Sequence, residues 1–87
     1  MDKGKPVRLT EHAREQCLER GAEAPEVVET IQTGTIEAAR HGRLIYRANF
    51  PYNRHWNGEY YAVKQVAAVV AEEDDERVVI TVYTFYF

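Results

Sequence analysis

The sequence predicts an α+β domain in which two N-terminal helices pack on a four-stranded antiparallel sheet. Three observations lead there. Apolar residues recur at helical spacing as far as Gly34 and then switch to strand-like alternation. Gly, Pro and Asn punctuate the chain where elements have to end. Eighty-seven residues with 45% hydrophobic content suffice for one compact domain and leave no room for a second.

The first helix runs from Glu11 to about Arg20. Thr10 is a good N-cap, Glu11 suits the positive end of the helix dipole, and Gly21 is the left-handed residue expected past the end. A second helix starts at Pro25, where a missing N–H is tolerated, and Glu26 adds first-turn acidity. Val27, Val28 and Ile31 give it an apolar face, and Gly34 closes it. The first strand spans Thr35 to Arg40, and His41-Gly42 makes a tight turn into the second, RLIYRANF. There Leu44, Tyr46, Ala48 and Phe50 form the apolar face. PYNRHWNG reads as a loop, by its proline, two asparagines and glycine. The long strand EYYAVKQVAAVVAEE follows, then an acidic turn at Glu72 to Glu76. In the last strand, RVVITVYTFYF, Val78, Ile80 and Val82 alternate with Val79, Thr81, Tyr83 and Phe85. The helix pair covers one sheet face, which leaves the other free for a site near the end of the first helix.

Several function classes drop out on composition. The longest apolar run, Val66 to Ala71, is far short of a membrane span, and MDKGKPVRLTEH has no signal-peptide apolar region, so a soluble cytoplasmic protein is expected. The single Cys17 forms no internal disulfide, and no ligand spacing points to a metal. No Gly-rich phosphate loop or nucleophile constellation is present, and no cofactor is expected.

The net charge of −3 is unevenly spread. The segment from residue 40 to residue 64 holds Arg40, Arg43, Arg47, Arg54 and Lys64 against Glu59 alone, whereas Glu72 to Arg77 carries −4. The basic segment makes either a local face for an anionic partner or a solvated strand face.

His12, Gln16 and Arg20 follow one another at spacings of four and form a polar ridge on the first helix. Arg20 falls only about 20° from the direction of Ala13, so it points towards the sheet. There it either bonds carbonyls at the helix end or holds a ligand phosphate. His12, in the first turn of the helix, is either a surface residue or a proton acceptor. Lys64 interrupts an apolar strand, so its charge must reach solvent or a partner. Thr81, Tyr83 and Phe85 place a hydroxyl, a phenol and a ring in a row, as a packed face, a dimer surface or a stacking platform. Tyr52, Arg54, His55 and Trp56 mix cations with aromatics, as single-stranded nucleic-acid sites do, though a tryptophan tucked onto the core fits equally well.

The residues His12-Ala13, Arg20-Gly21, Val27-Val28, Ile31, Gly34, Gly42-Arg43 and the closing VITVYT resemble a small bacterial domain-of-unknown-function family, number 4258. Its helical signature is HA-x-x-R-x-x-x-R-G. The resemblance implies a fold similar to the RelE/ParE and BrnT toxins and, more distantly, to the barnase, colicin and RelE nucleases. It also implies an RNA-cleaving site lined by His12, Arg20, Lys64 and the Thr81/Tyr83 face. One position departs from the signature: Gln16 stands where the family has its first arginine, and an amide supplies no charge.

Two kinds of function follow. The first is a metal-independent endoribonuclease of toxin type, acting on RNA or the ribosome and held by a cognate antitoxin. His12 is then the general acid or base, Arg20 and Lys64 the phosphate cations, and Tyr83 or Thr81 the orienting hydroxyl; Gln16, Arg47, Arg54 and Trp56 contact substrate. It requires these side chains to converge in one cleft. The second is a non-catalytic interaction domain or homodimer that recruits its partner through its sheet face or through the aromatic C-terminal strand, edge pairing from Tyr83 to Phe87 being one route.

Overall fold

The structure, a computed structural model, describes residues 5–87; the first four residues of the N-terminal stretch considered for a signal peptide lie outside them. The elements are β1 (Val7–Leu9), α1 (Glu11–Arg20), α2 (Ala24–Thr33), β2 (Thr35–Ala38), a 3₁₀ turn (Arg40–Gly42), β3 (Leu44–Trp56), β4 (Glu59–Glu72) and β5 (Arg77–Tyr86). The sheet order is β1-β5-β4-β3-β2, with β1 parallel to β5 and every other pair antiparallel. The fold is therefore α+β with two helices, as expected, but the sheet is five-stranded and mixed rather than four-stranded and antiparallel. The extra strand has three residues, too few to show an alternating pattern.

The helix ends obey their local signals. The Thr10 hydroxyl accepts from the Ala13 N–H at 3.0 Å, and Gly21 is left-handed at φ 78°. Pro25 occupies the first turn of α2, and the Glu26 carboxylate reaches back to the Glu23 N–H at 3.0 Å.

Three strand features correct the sequence reading. PYNRHWNG is not a loop: β3 continues to Trp56, with a bulge between Pro51 and Arg54, and only Asn57-Gly58 turns. Both turn residues have positive φ, 52° and 86°, the geometry that matches the twist of a two-residue hairpin. Pro51 is tolerated there because that stretch of β3 lies on the sheet edge, beyond its pairing with β2. The first expected strand stops at Ala38, before the 3₁₀ turn. In β5 the register moves from Val70↔Val79 to Val69↔Thr81, so Ile80 is an extra residue. Val79 and Val82, three apart, therefore both lie fully buried under the helices, whereas simple alternation sets Val79 on the other face.

The core lies between the helices and one sheet face, with Ala13, Cys17, Val27 and Ile31 against Tyr46, Val66, Ala68, Val70, Val79 and Val82. Each such valine, once buried, contributes about 1.5–3 kcal/mol. Among the described residues no helix is long and apolar enough to cross a membrane.

Candidate nucleic-acid interface

The site begins where β1 ends. β1 covers the edge of β5 only from Arg77 to Val79, and α1 takes over from there. The Thr10 N–H donates to the Val79 carbonyl at 3.1 Å. One and a half turns later the Gln16 amide oxygen accepts the Val82 N–H at 2.8 Å, and Arg20 donates to the Val82 carbonyl at 2.7 Å. Two side chains one helical turn apart thus replace a neighbouring strand for Val82. Gln16 is buried, and its role requires an acceptor, which arginine lacks.

The end of α1 is bound from the sheet. Thr84 and Tyr86 donate their hydroxyls to the Arg20 carbonyl at 2.8 and 2.6 Å. Lys64 donates to the Gly21 carbonyl at 2.8 Å and pairs with the Glu26 carboxylate at 2.8 Å. Burial raises the Tyr86 phenol above its ordinary pKa, which keeps it a donor. The Tyr86 ring stacks on Trp56 at 5.0 Å and lies 5.2 and 5.6 Å from Tyr52 and Tyr61. Arg54 sits 4.8 Å over Tyr52. Lys64, Trp56 and Arg54 therefore belong to a cluster that holds α1 down on the helix side.

On the opposite face, alternation brings out Thr81, Tyr83 and Phe85 from β5, Gln65 and Ala67 from β4, and Arg47 and Asn49 from β3. Arg20 passes round the free edge of β5 and sets its guanidinium 5.2 Å over the Tyr83 ring. Tyr83 and Phe85 are near-parallel at 6.5 Å, and Arg47 lies 6.0 Å over Phe85. The result is one continuous row, cation, ring, ring, cation. Its two rings are 44% and 45% exposed, enough to accept a planar ligand. Arg47 is fixed by Glu37 at 3.0 Å and by Gln65 at 3.2 Å, and Gln65 in turn donates to Asn49 at 2.9 Å.

Of the residues singled out in the sequence, the open side thus gathers Arg20, Arg47, Thr81, Tyr83 and Phe85. His12 is exposed in the first turn of α1, about 12 Å along the axis from Arg20 and about 13 Å from the carbonyl that Lys64 binds. His12 and Lys64 do not meet in one cleft. Asn49, Gln65 and Glu37 complete the open face, and none of the three carried a sequence signal.

These features define a small α+β domain whose helices cover one sheet face and leave an aromatic, arginine-flanked face open. The chain belongs to the family described as Domain of unknown function (DUF4258), whose model matches residues 9–84. No curated protein and no solved structure matches it.

Proposed function

We propose that this domain binds single-stranded RNA across the open face of its sheet, with Tyr83 and Phe85 stacking bases and Arg20 and Arg47 contacting the phosphates beside them. The observation that carries the proposal is the row Arg20, Tyr83, Phe85, Arg47. Rings on a sheet stack unpaired bases regardless of sequence, and flanking guanidiniums follow the backbone. The acidity of the chain is compatible with this use, because five of its acids sit together in the hairpin from Glu72 to Glu76, whereas Phe85 pairs with β4 at Gln65, seven residues before it.

Metal-independent cleavage by His12 and Lys64 together lacks the convergence it requires, so the narrower form of the proposal, cleavage in the manner of the RelE toxins, rests on Tyr83 and Arg20 instead. The Tyr83 hydroxyl can transfer a proton, and the Arg20 guanidinium, over the same ring, can stabilise charge developing on phosphate. Lys64 takes no part, since its ammonium is bound to Glu26 and Gly21. The test is incubation of labelled single-stranded RNA with the protein in EDTA, alongside Tyr83→Phe. Cleavage lost in Tyr83→Phe with binding retained supports the nuclease. Binding without cleavage leaves an RNA-binding domain, and a dimer in light scattering with no RNA bound favours the homodimer reading over RNA binding.

A further inference from the structure

The hydrogen-bond ladder beside the aromatic row has a direction. Glu37 only accepts, so it takes the Arg47 Nε–H at 3.0 Å. Arg47 only donates, so the Gln65 atom that it meets at 3.2 Å is the amide oxygen. Gln65 must then turn its NH₂ to Asn49, at 2.9 Å, and the Asn49 oxygen is the acceptor. The chain of constraints fixes the last group: Asn49 presents its NH₂ outward. The ladder ends at a depression of about 380 Å³ beyond the start of β2, lined by Thr33, Gly34, Thr35, Arg47, Asn49 and Gln65 among others. Its free amide and guanidinium groups are donors, namely both N–H of Asn49, the second N–H of Gln65 and three N–H of Arg47, beside the Thr33 and Thr35 hydroxyls at its other wall. Asn49, Gln65 and Phe85 are direct cross-strand partners, so the outer two are about 10 Å apart with only Gln65 between them.

We infer that this depression selects uracil, the base with two carbonyl oxygens and no amine, stacked on Phe85 at its margin with an oxygen towards the Asn49 amide. The inference rests on the RNA-binding proposal and adds base preference to it. Adenine offers the Asn49 amide only ring nitrogens and sets its amino group against the neighbouring N–H groups, whereas uracil offers two carbonyl oxygens and no amine. Cytosine retains one carbonyl and replaces the other by an amine, so it falls between them.

The test is fluorescence anisotropy with labelled oligouridylate and oligoadenylate of equal length, on the wild type and on Asn49→Asp. Aspartate keeps the acceptor that Gln65 needs, so the ladder and the fold are retained, but it replaces the outward NH₂ by oxygen. The expected wild-type preference for oligouridylate is about tenfold, within the range of one base-edge contact, and Asn49→Asp abolishes it. The added negative charge weakens both ligands alike, so the ratio is the readout. Equal affinity of the wild type for both RNAs overturns the inference and leaves the RNA-binding proposal standing. A preference that survives in Asn49→Asp overturns the role of the amide. Binding of neither RNA overturns the inference and the proposal together.

Discussion

The guanidinium of Arg20 lies 5.2 Å above the ring of Tyr83, although the one belongs to the helix layer and the other faces away from it. The contact exists because α1 seals the edge of β5 that β1 leaves uncovered, and Arg20, bound to the Val82 carbonyl at 2.7 Å, stands at the rim between the two faces. Arg20 thus has a structural half and an exposed half. Its pairing helps fix the helix, and its cation remains beside the aromatic row.

That placement limits the number of cations available to RNA. Arg20 and Arg47 flank the row, so about two phosphates are neutralised, and log K should fall against log salt with a slope near −1.4 for a single strand. Affinity measured across a salt series checks this. A slope of −4 or steeper would show a far larger basic surface and contradict the assignment.

Lys64 is the second candidate cation to be explained, and its side chain is only 4% exposed. Lys64→Met removes the partner of Glu26 and leaves the Gly21 carbonyl without its donor, and the expected loss is about 2 kcal/mol in urea unfolding. RNA affinity of the folded variant should be unchanged. Wild-type stability together with lost RNA affinity would return Lys64 to the site.

Gly21 joins helix, lysine and aromatic cluster. Its φ is 78°, and a Cβ there would come within 2.5 Å of the Tyr86 hydroxyl and 2.9 Å of Trp56. Gly21→Ala therefore has to displace both rings as well as hold a left-handed conformation, at a cost of at least about 1–2 kcal/mol. Thermal unfolding should show a clear fall in Tm, whereas an unchanged Tm would mean that the cluster does not hold α1.

A buried phenol, Tyr46, and a half-buried one, Tyr86, make stability fall at alkaline pH. Burial raises Tyr46 and Tyr86, and the Glu72 carboxylate adds to the rise at Tyr46. Both are held neutral in the fold with pKa values above the unfolded value of about 10. Their contribution is fully present below that pH and is lost as pH rises through the folded values. Absorbance titration should show part of the tyrosine ionising later in the native protein than in urea; coincident curves would disprove it.

The sequence made the helices legible because caps and stops are local. Thr10, Gly21, Pro25 and Gly34 marked their ends to within a residue or two. The strand errors arose where local chemistry is ambiguous. Pro51 and Asn53 are turn residues in most settings, yet a bulge on an uncovered strand edge accepts both, Asn53 at φ 52°. The bulge at Ile80 has no signal in RVVITVYTFYF, since every residue there suits a strand. In the site, alternation was enough to align Tyr83 with Phe85. Lys64 showed as a charge in an apolar strand, but its partner, Glu26, is 38 residues away on α2, and no spacing reveals such a pairing. Gln16 was legible only as a missing arginine. Its buried bond to Val82 depends on where the three-residue strand β1 stops.

The central claim is tested most directly by anisotropy titration of a labelled single-stranded RNA with the wild type, Tyr83→Ala, Phe85→Ala and the double variant. Each lost ring should cost about 1–3 kcal/mol of binding, so the double variant binds at least about 25-fold more weakly while its unfolding midpoint stays near that of the wild type. RNA binding that is absent from the wild type, or that survives removal of both rings, would contradict the account.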